Sequence, residues 1–140
     1  MQFFEDLPSA NVLIPGRWAA RIGLSTAFIY SGISKLLDFS GAVVEAAHFG
    51  LQPAVWVAVA IIVTQLVGAG LLLFGSGRGL ALGALVLAIF ILPATFIGHA
   101  FWNMEGMDRF HNLNAFLEHA GLVGGLLWLA AWGWSERARP

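Results

Sequence analysis

The run "AVWVAVAIIVTQLVGAGLLLF", Ala54 to Phe74, holds no charged residue over a length that, as a helix, matches the hydrocarbon core of a bilayer. Three comparable runs flank it: Trp18 to Leu37, Leu80 to Trp102 and Leu113 to Trp134. Inside hydrocarbon no water pairs with backbone N–H and C=O groups, so each run has to close its hydrogen bonds within itself as a helix. Only 11% of the chain is charged and 59% is hydrophobic, whereas soluble domains are about one quarter charged. The reading is an all-α integral membrane protein, a bundle of four transmembrane helices forming a single membrane domain over residues 1–140.

The segments between the runs supply the topology. The opening "MQFFEDLPSANVLIPGR" has no basic n-region and does not read as a cleaved signal; Phe3, Phe4, Val12, Leu13 and Ile14 suit an interfacial arm. Residues 38–53 carry Asp38, Glu45, His48 and Pro53 and read as an interfacial connector, a short amphipathic helix capped by Ser40. "GSGRG", Gly75 to Gly79, reads as a tight turn, and Asn103 to Asn112 as a second long connector. Pro93 should kink the third span. Arg17, Arg21, Arg78, Arg137 and Arg139 fall on one side, against Lys35 and Arg109 on the other, which makes the side of both termini cytoplasmic. Trp56 and Trp102 suit an outer aromatic belt, and Gly68, Gly70, Gly121, Gly124 and Gly125 suit close helix approach.

Several function classes drop out. A net charge of -1 with seven basic residues gives no footprint for nucleic acid. With no cysteine there is no disulfide, CxxC couple or thiolate metal site within the chain, so electron transfer would need a bound cofactor or a partner. His99, His111 and His119 lack HxxxH spacing, and no metal or haem site is expected. No nucleophile elbow is recognisable.

What remains is a set of polar side chains within the spans. Lys35 stands near the outer end of the first, Gln65 near mid-depth in the second, His99 near the outer end of the third, and Glu118 with His119 one to two turns inside the fourth. An ionisable residue at such depth costs a few kcal/mol, order of magnitude, unless it finds a partner or water. Lys35 is the expected counter-ion of Glu118, and Tyr30, Ser31 and Ser34 extend the polar layer along the first helix. Glu118 and His119 are about 100° apart on a helix, so one of them, His119, is expected to face a groove or the interface. Each residue also has a structural explanation: snorkelling for Lys35, interhelical hydrogen bonding for Gln65 and His99.

The segments "RIGLSTAFIYSGISKLLDF", "TQLVGAGLLLFG", "FIGHAFWN" and "NAFLEHAGLVGGLLWLA" together, in this order and spacing, resemble the DoxX-like membrane proteins. The resemblance implies a four-helix protein of the bacterial inner membrane. It also implies kinship with membrane subunits of quinone-linked oxidoreductases, thiosulfate:quinone oxidoreductase among them, or with anchors that organise redox and oxidative-stress proteins. Two positions depart from the family's pattern: Gln65 stands where a Glu is common, and Glu118-His119 where a Lys-Asn pair is common.

The leading expectation is a membrane subunit that binds a quinone or similar amphiphile in an outer-leaflet polar pocket, supporting redox or detoxification chemistry. Lys35, Gln65, His99, Glu118, His119 and Tyr30 are its expected ligand-binding residues, and the Met104 to Met107 loop its cap. No catalytic residue is recognisable, and the partners implied are the lipid bilayer, a redox protein and a second copy of the chain. The alternative is a non-catalytic scaffold or chaperone that recruits protein partners. A transporter ranks lower, because one acid and one kinked helix do not make an inverted repeat.

Overall fold

The computed structural model describes residues 10–136. Among them there is no strand, and the order is α1 (Ala10–Leu37), α2 (Phe39–His48), α3 (Ala54–Phe74), α4 (Arg78–Gly98), a 3-10 turn (Phe101–Asn103) and α5 (Gly106–Ser135). The first nine residues of the expected interfacial arm lie outside the described residues, as do Arg137 and Arg139; from Ala10 the chain is already in α1.

α3, α4 together with its 3-10 turn, and α5 are each long and apolar enough to cross a membrane; α1 reaches that mark only when joined to α2. Arg17, Arg21 and Lys35 lower its hydropathy, yet its 28 residues give a rod about 42 Å long. α2 turns away from α1 by 106°. Its cap is Asp38, not the expected Ser40: the Asp38 carboxylate accepts from the Gly41 N–H at 2.9 Å and from the Ser40 hydroxyl at 3.0 Å. Those bonds, the backbone one foremost, hold the exposed Asp38 carboxyl below its ordinary value.

The second long connector is much shorter than expected. Residues 106–112 are already helical, because Gly106 at φ 59° turns the chain and Asp108 sits in the first turn, where the helix dipole favours an acid. Hydropathy marks where a span meets the bilayer, which is not where the helix starts. α4 likewise begins at Arg78, inside the expected Gly75 to Gly79 turn.

α1 packs on α3, α3 on α4 and α4 on α5, whereas α1 touches α5 only lightly. The core gathers toward the α3–α4 turn, where Leu72, Leu80, Leu87, Leu126 and Leu129 are fully buried among Ala69, Ala84 and Ala88. Small residues allow this. A Cβ on Gly83 would stand 2.7 Å from the Leu72 nitrogen and 2.8 Å from the Gly68 oxygen, so α3 and α4 meet backbone to backbone. Of the glycines expected to mediate close approach, Gly68 lies against Leu87 and Gly125 against Leu24, but a Cβ on Gly70, Gly121 or Gly124 would meet nothing. Trp56, Phe74, Ile89 and Leu117 face outward, as they should toward lipid.

At the same end a polar clasp joins the first and last helices. Arg17 of α1 forms an ion pair with Glu136, just past α5, and its guanidinium lies 4.9 Å from the centre of the Trp132 ring. Glu136 also accepts from Trp132 Nε1 at 3.0 Å and from the Gly77 N–H at 3.3 Å. Hydrogen bonding from Trp132 is the main cause that holds the Glu136 carboxyl below its ordinary value, with Gly77 and Arg17 adding to it against burial. Arg21, 8% exposed, donates to the carbonyls of Leu73 and Gly75, which the end of α3 leaves without helical partners.

Candidate functional site

Away from the core, toward the α1–α2 corner, the bundle opens into a cavity of about 600 Å³. Its walls are apolar, with Phe28, Ile61, Phe90, Ile91, Ala94 and Leu122 contributed by α1, α3, α4 and α5. Pro93 lines it too, at the place where α4 lacks a backbone donor. The polar lining consists of Ser31 and Lys35 of α1, Glu45 of α2, Gln65 of α3, His99 and His119. This division, apolar body and a few converging polar groups, is the general form of a small-molecule site.

Four of the six expected binding residues therefore meet: Lys35, Gln65, His99 and His119. Tyr30 does not join them; at 74% exposure it faces outward over a shallow groove with Ile33 and Leu37. Ala27, Ser31 and Lys35 line the cavity instead, and Tyr30 lies about 100° around the helix from Ser31.

Glu118 and His119 adopt the reverse of the expected arrangement. His119 turns into the bundle, its Nδ1 2.9 Å from the Thr95 hydroxyl of α4, while Glu118 is exposed. Spacing explains it. Glu118, Gly125 and Trp132 recur every seven residues along one stripe of α5; Trp132 meets Arg17 and Gly125 meets Leu24, but the stripe is exposed by Glu118. Lys35 accordingly pairs not with Glu118 but with Glu45, ten residues on, brought back by the bend into α2. The cap is also different: Glu45, Phe49 and Leu51 of the α2 region line the cavity, and Met104 to Met107 do not.

The remaining bonds fix the imidazoles. Thr95 donates its single hydroxyl proton to the Ile91 carbonyl at 2.6 Å, so its oxygen can only accept from His119 Nδ1. Asn112 donates its amide to the Asp108 carbonyl at 2.9 Å, which turns its Oδ1 toward His99 Nδ1 at 3.0 Å. The two rings lie 4.9 Å apart, edge to face. Gln65, 5% exposed, donates Nε2 to the Ser31 hydroxyl at 3.0 Å, and its Oε1 is buried without a partner. An orphaned buried acceptor costs about 1–3 kcal/mol.

Glu45, Thr95 and Asn112 were not singled out from sequence. Thr95 carried a signal, standing one helical turn before His99 in an otherwise apolar stretch; Glu45 and Asn112 fell in segments read as connectors. Among the described residues no three His, Cys, Asp or Glu stand together to hold a metal ion.

Apolar spanning helices with an outward-facing apolar surface, around a cavity with a few polar side chains in its lining, define a small multi-pass membrane protein. The DoxX family's sequence model matches residues 16–100, from α1 through the end of α4. Inner membrane protein YphA of Escherichia coli (strain K12) is 33% identical over 116 residues, which cover 81% of this chain and 80% of that protein. The chain belongs to the DoxX family and is a multi-pass protein of the inner membrane. No solved structure matches it.

Proposed function

We propose that this protein is a membrane subunit that holds the polar head of a bilayer-dissolved amphiphile, a quinone or a molecule of similar build, between its helices. The cavity carries the reading: about 600 Å³ of apolar-walled space is lined in part by Gln65, whose buried Oε1 has no partner among the described residues. Buried oxygens without a partner are uncommon in native proteins, and the Ser25 hydroxyl is the other one among the described residues. Lys35, His99 and His119 stand beside Gln65 as further head-group contacts, and Phe28, Phe90 and Leu122 take the apolar part. Without cysteine, and with two imidazoles but no recognisable nucleophile, the chain presents and positions its ligand for a partner in redox or detoxification chemistry.

Native mass spectrometry of protein taken from its own membrane, with extraction of what it carries, tests this. Wild type should release an amphiphile that Gln65→Leu and His119→Phe do not. Bulk phospholipid alone from wild type, with identical profiles from both variants, would overturn it.

A further inference from the structure

The hydrogen-bonding polarity of the cavity is set through backbone carbonyls. Backbone carbonyls can only accept, so the Ile91 carbonyl forces the Thr95 proton onto itself and the Asp108 carbonyl forces the Asn112 amide toward itself. In consequence Thr95 Oγ1 and Asn112 Oδ1 are both acceptors, and both imidazoles must donate from Nδ1. A neutral imidazole that donates from Nδ1 keeps a lone pair on Nε2. Among the described residues no hydrogen bond reaches Nε2 of His99 or of His119, and both residues line the cavity.

Gln65 adds one more unpaired group. Its Oε1 is an unfilled acceptor, and its side chain is buried beyond nine-tenths. A serine hydroxyl can face either end of an amide, but whichever end meets Ser31, the other is left wanting a partner; the imidazoles, held through backbone carbonyls, admit one reading. Against these acceptors the donors are few. Lys35 gives one of its three ammonium protons to Glu45, and Ser31 has one hydroxyl proton.

We infer that the cavity selects a head group carrying a hydroxyl, a phenol, hydroquinone or alcohol, over the carbonyl or ether counterpart of the same shape. A hydroxyl donates to Nε2 of His119 or His99 and accepts from Ser31, whereas a carbonyl or ether leaves both imidazole acceptors empty. Thr95 and Asn112 act as positioning residues: they touch the rings, and through them decide which nitrogen carries the proton.

This inference rests on the cavity being a ligand site, and the experiment separates the two. Full-length protein in nanodiscs, at about pH 8 where free imidazole is neutral, is titrated with 4-decylphenol and with 4-decylanisole. The two probes differ by one methyl on oxygen, and neither undergoes redox exchange. The phenol should bind about tenfold more tightly, the size of one hydrogen bond to a buried acceptor, and should move the imidazole Nε2 15N resonances while leaving Nδ1 protonated. Thr95→Val, which frees the His119 tautomer without touching the probe, should shrink the preference. Equal binding of both probes, or tighter binding of the anisole, overturns the donor selectivity and leaves the ligand site standing. Binding of neither, in protein whose melting is unchanged, overturns both.

Discussion

Lys35 at the end of α1 is paired with Glu45 of α2, across a 106° bend, and leaves Glu118 of α5 without a paired cation among the described residues. Glu45 is half exposed, so the pair is worth no more than about 1 kcal/mol. A double-mutant cycle on Lys35→Met and Glu45→Gln, read from melting in detergent, should give a coupling of about 0.5 kcal/mol. The same cycle on Lys35→Met and Glu118→Gln should give none; a larger coupling there would mean that α5 closes onto α1.

Thr95 has a role that its methyl and hydroxyl divide between them. Thr95→Val keeps the shape and removes the acceptor for His119 Nδ1, which should cost about 1 kcal/mol. The sharper sign is spectroscopic: 15N NMR should find His119 protonated at Nδ1 in wild type and a mixture of tautomers in the variant. An unchanged tautomer would show that Thr95 does not set it.

Gly83→Ala places a methyl against the backbone of α3, where neither the Leu72 nitrogen nor the Gly68 oxygen can give way cheaply, and should destabilise by about 1–3 kcal/mol. Gly121→Ala meets nothing and should be neutral or slightly stabilising through helix propensity. Equal melting of the two variants would contradict the backbone contact between α3 and α4.

The Glu136 clasp ties stability to acid. Its folded carboxyl titrates below the ordinary 4.5, so its contribution is complete above that pH and disappears as the pH falls through the lower, folded value. The group is partly exposed, so the contribution is about 1 kcal/mol or less. Glu136→Gln should lower the melting temperature at about pH 7, and the gap from wild type should close in strong acid. A gap independent of pH would assign the loss to packing on Trp132 alone.

Gln65→Leu should leave the melting temperature of ligand-free protein unchanged or raise it, because the substitution removes a buried acceptor without a partner. A large loss of stability would mean that the bond to Ser31 outweighs the orphaned oxygen.

The apolar runs announced the helices well, because backbone satisfaction in hydrocarbon leaves no alternative: α3 spans the residues its hydropathy marks, Ala54 to Phe74. Helix ends were less legible, since residues 106–112 are polar yet helical and the bilayer edge falls partway along α5. Within the site, Gln65, His99, His119 and Lys35 stood out as polar groups in apolar text. Their partners did not. Lys35 was assigned to Glu118 by depth alone, but pairing depends on rotation about each helix axis and on the angle of α2. Neither can be read from the order of residues. Glu118 and His119 were exchanged for the same reason: adjacent positions differ by about 100°, and the packing of α5 on α4 decides which one turns inward.

Arg17 and Glu136 are separated by 119 positions, with most of α1 and all of α2 to α5 between them. A chain made from its N-terminus has Arg17 in the membrane long before its carboxylate exists, whereas the Leu73 and Gly75 carbonyls that receive Arg21 emerge with α3. α1, α3 and α4 can thus assemble during synthesis, held by Arg21, while α5 is still in the ribosome. The polar cavity gains its His119 wall only at the final step of biogenesis, so a protein interrupted before α5 would lack both His119 and the Asn112 that holds His99.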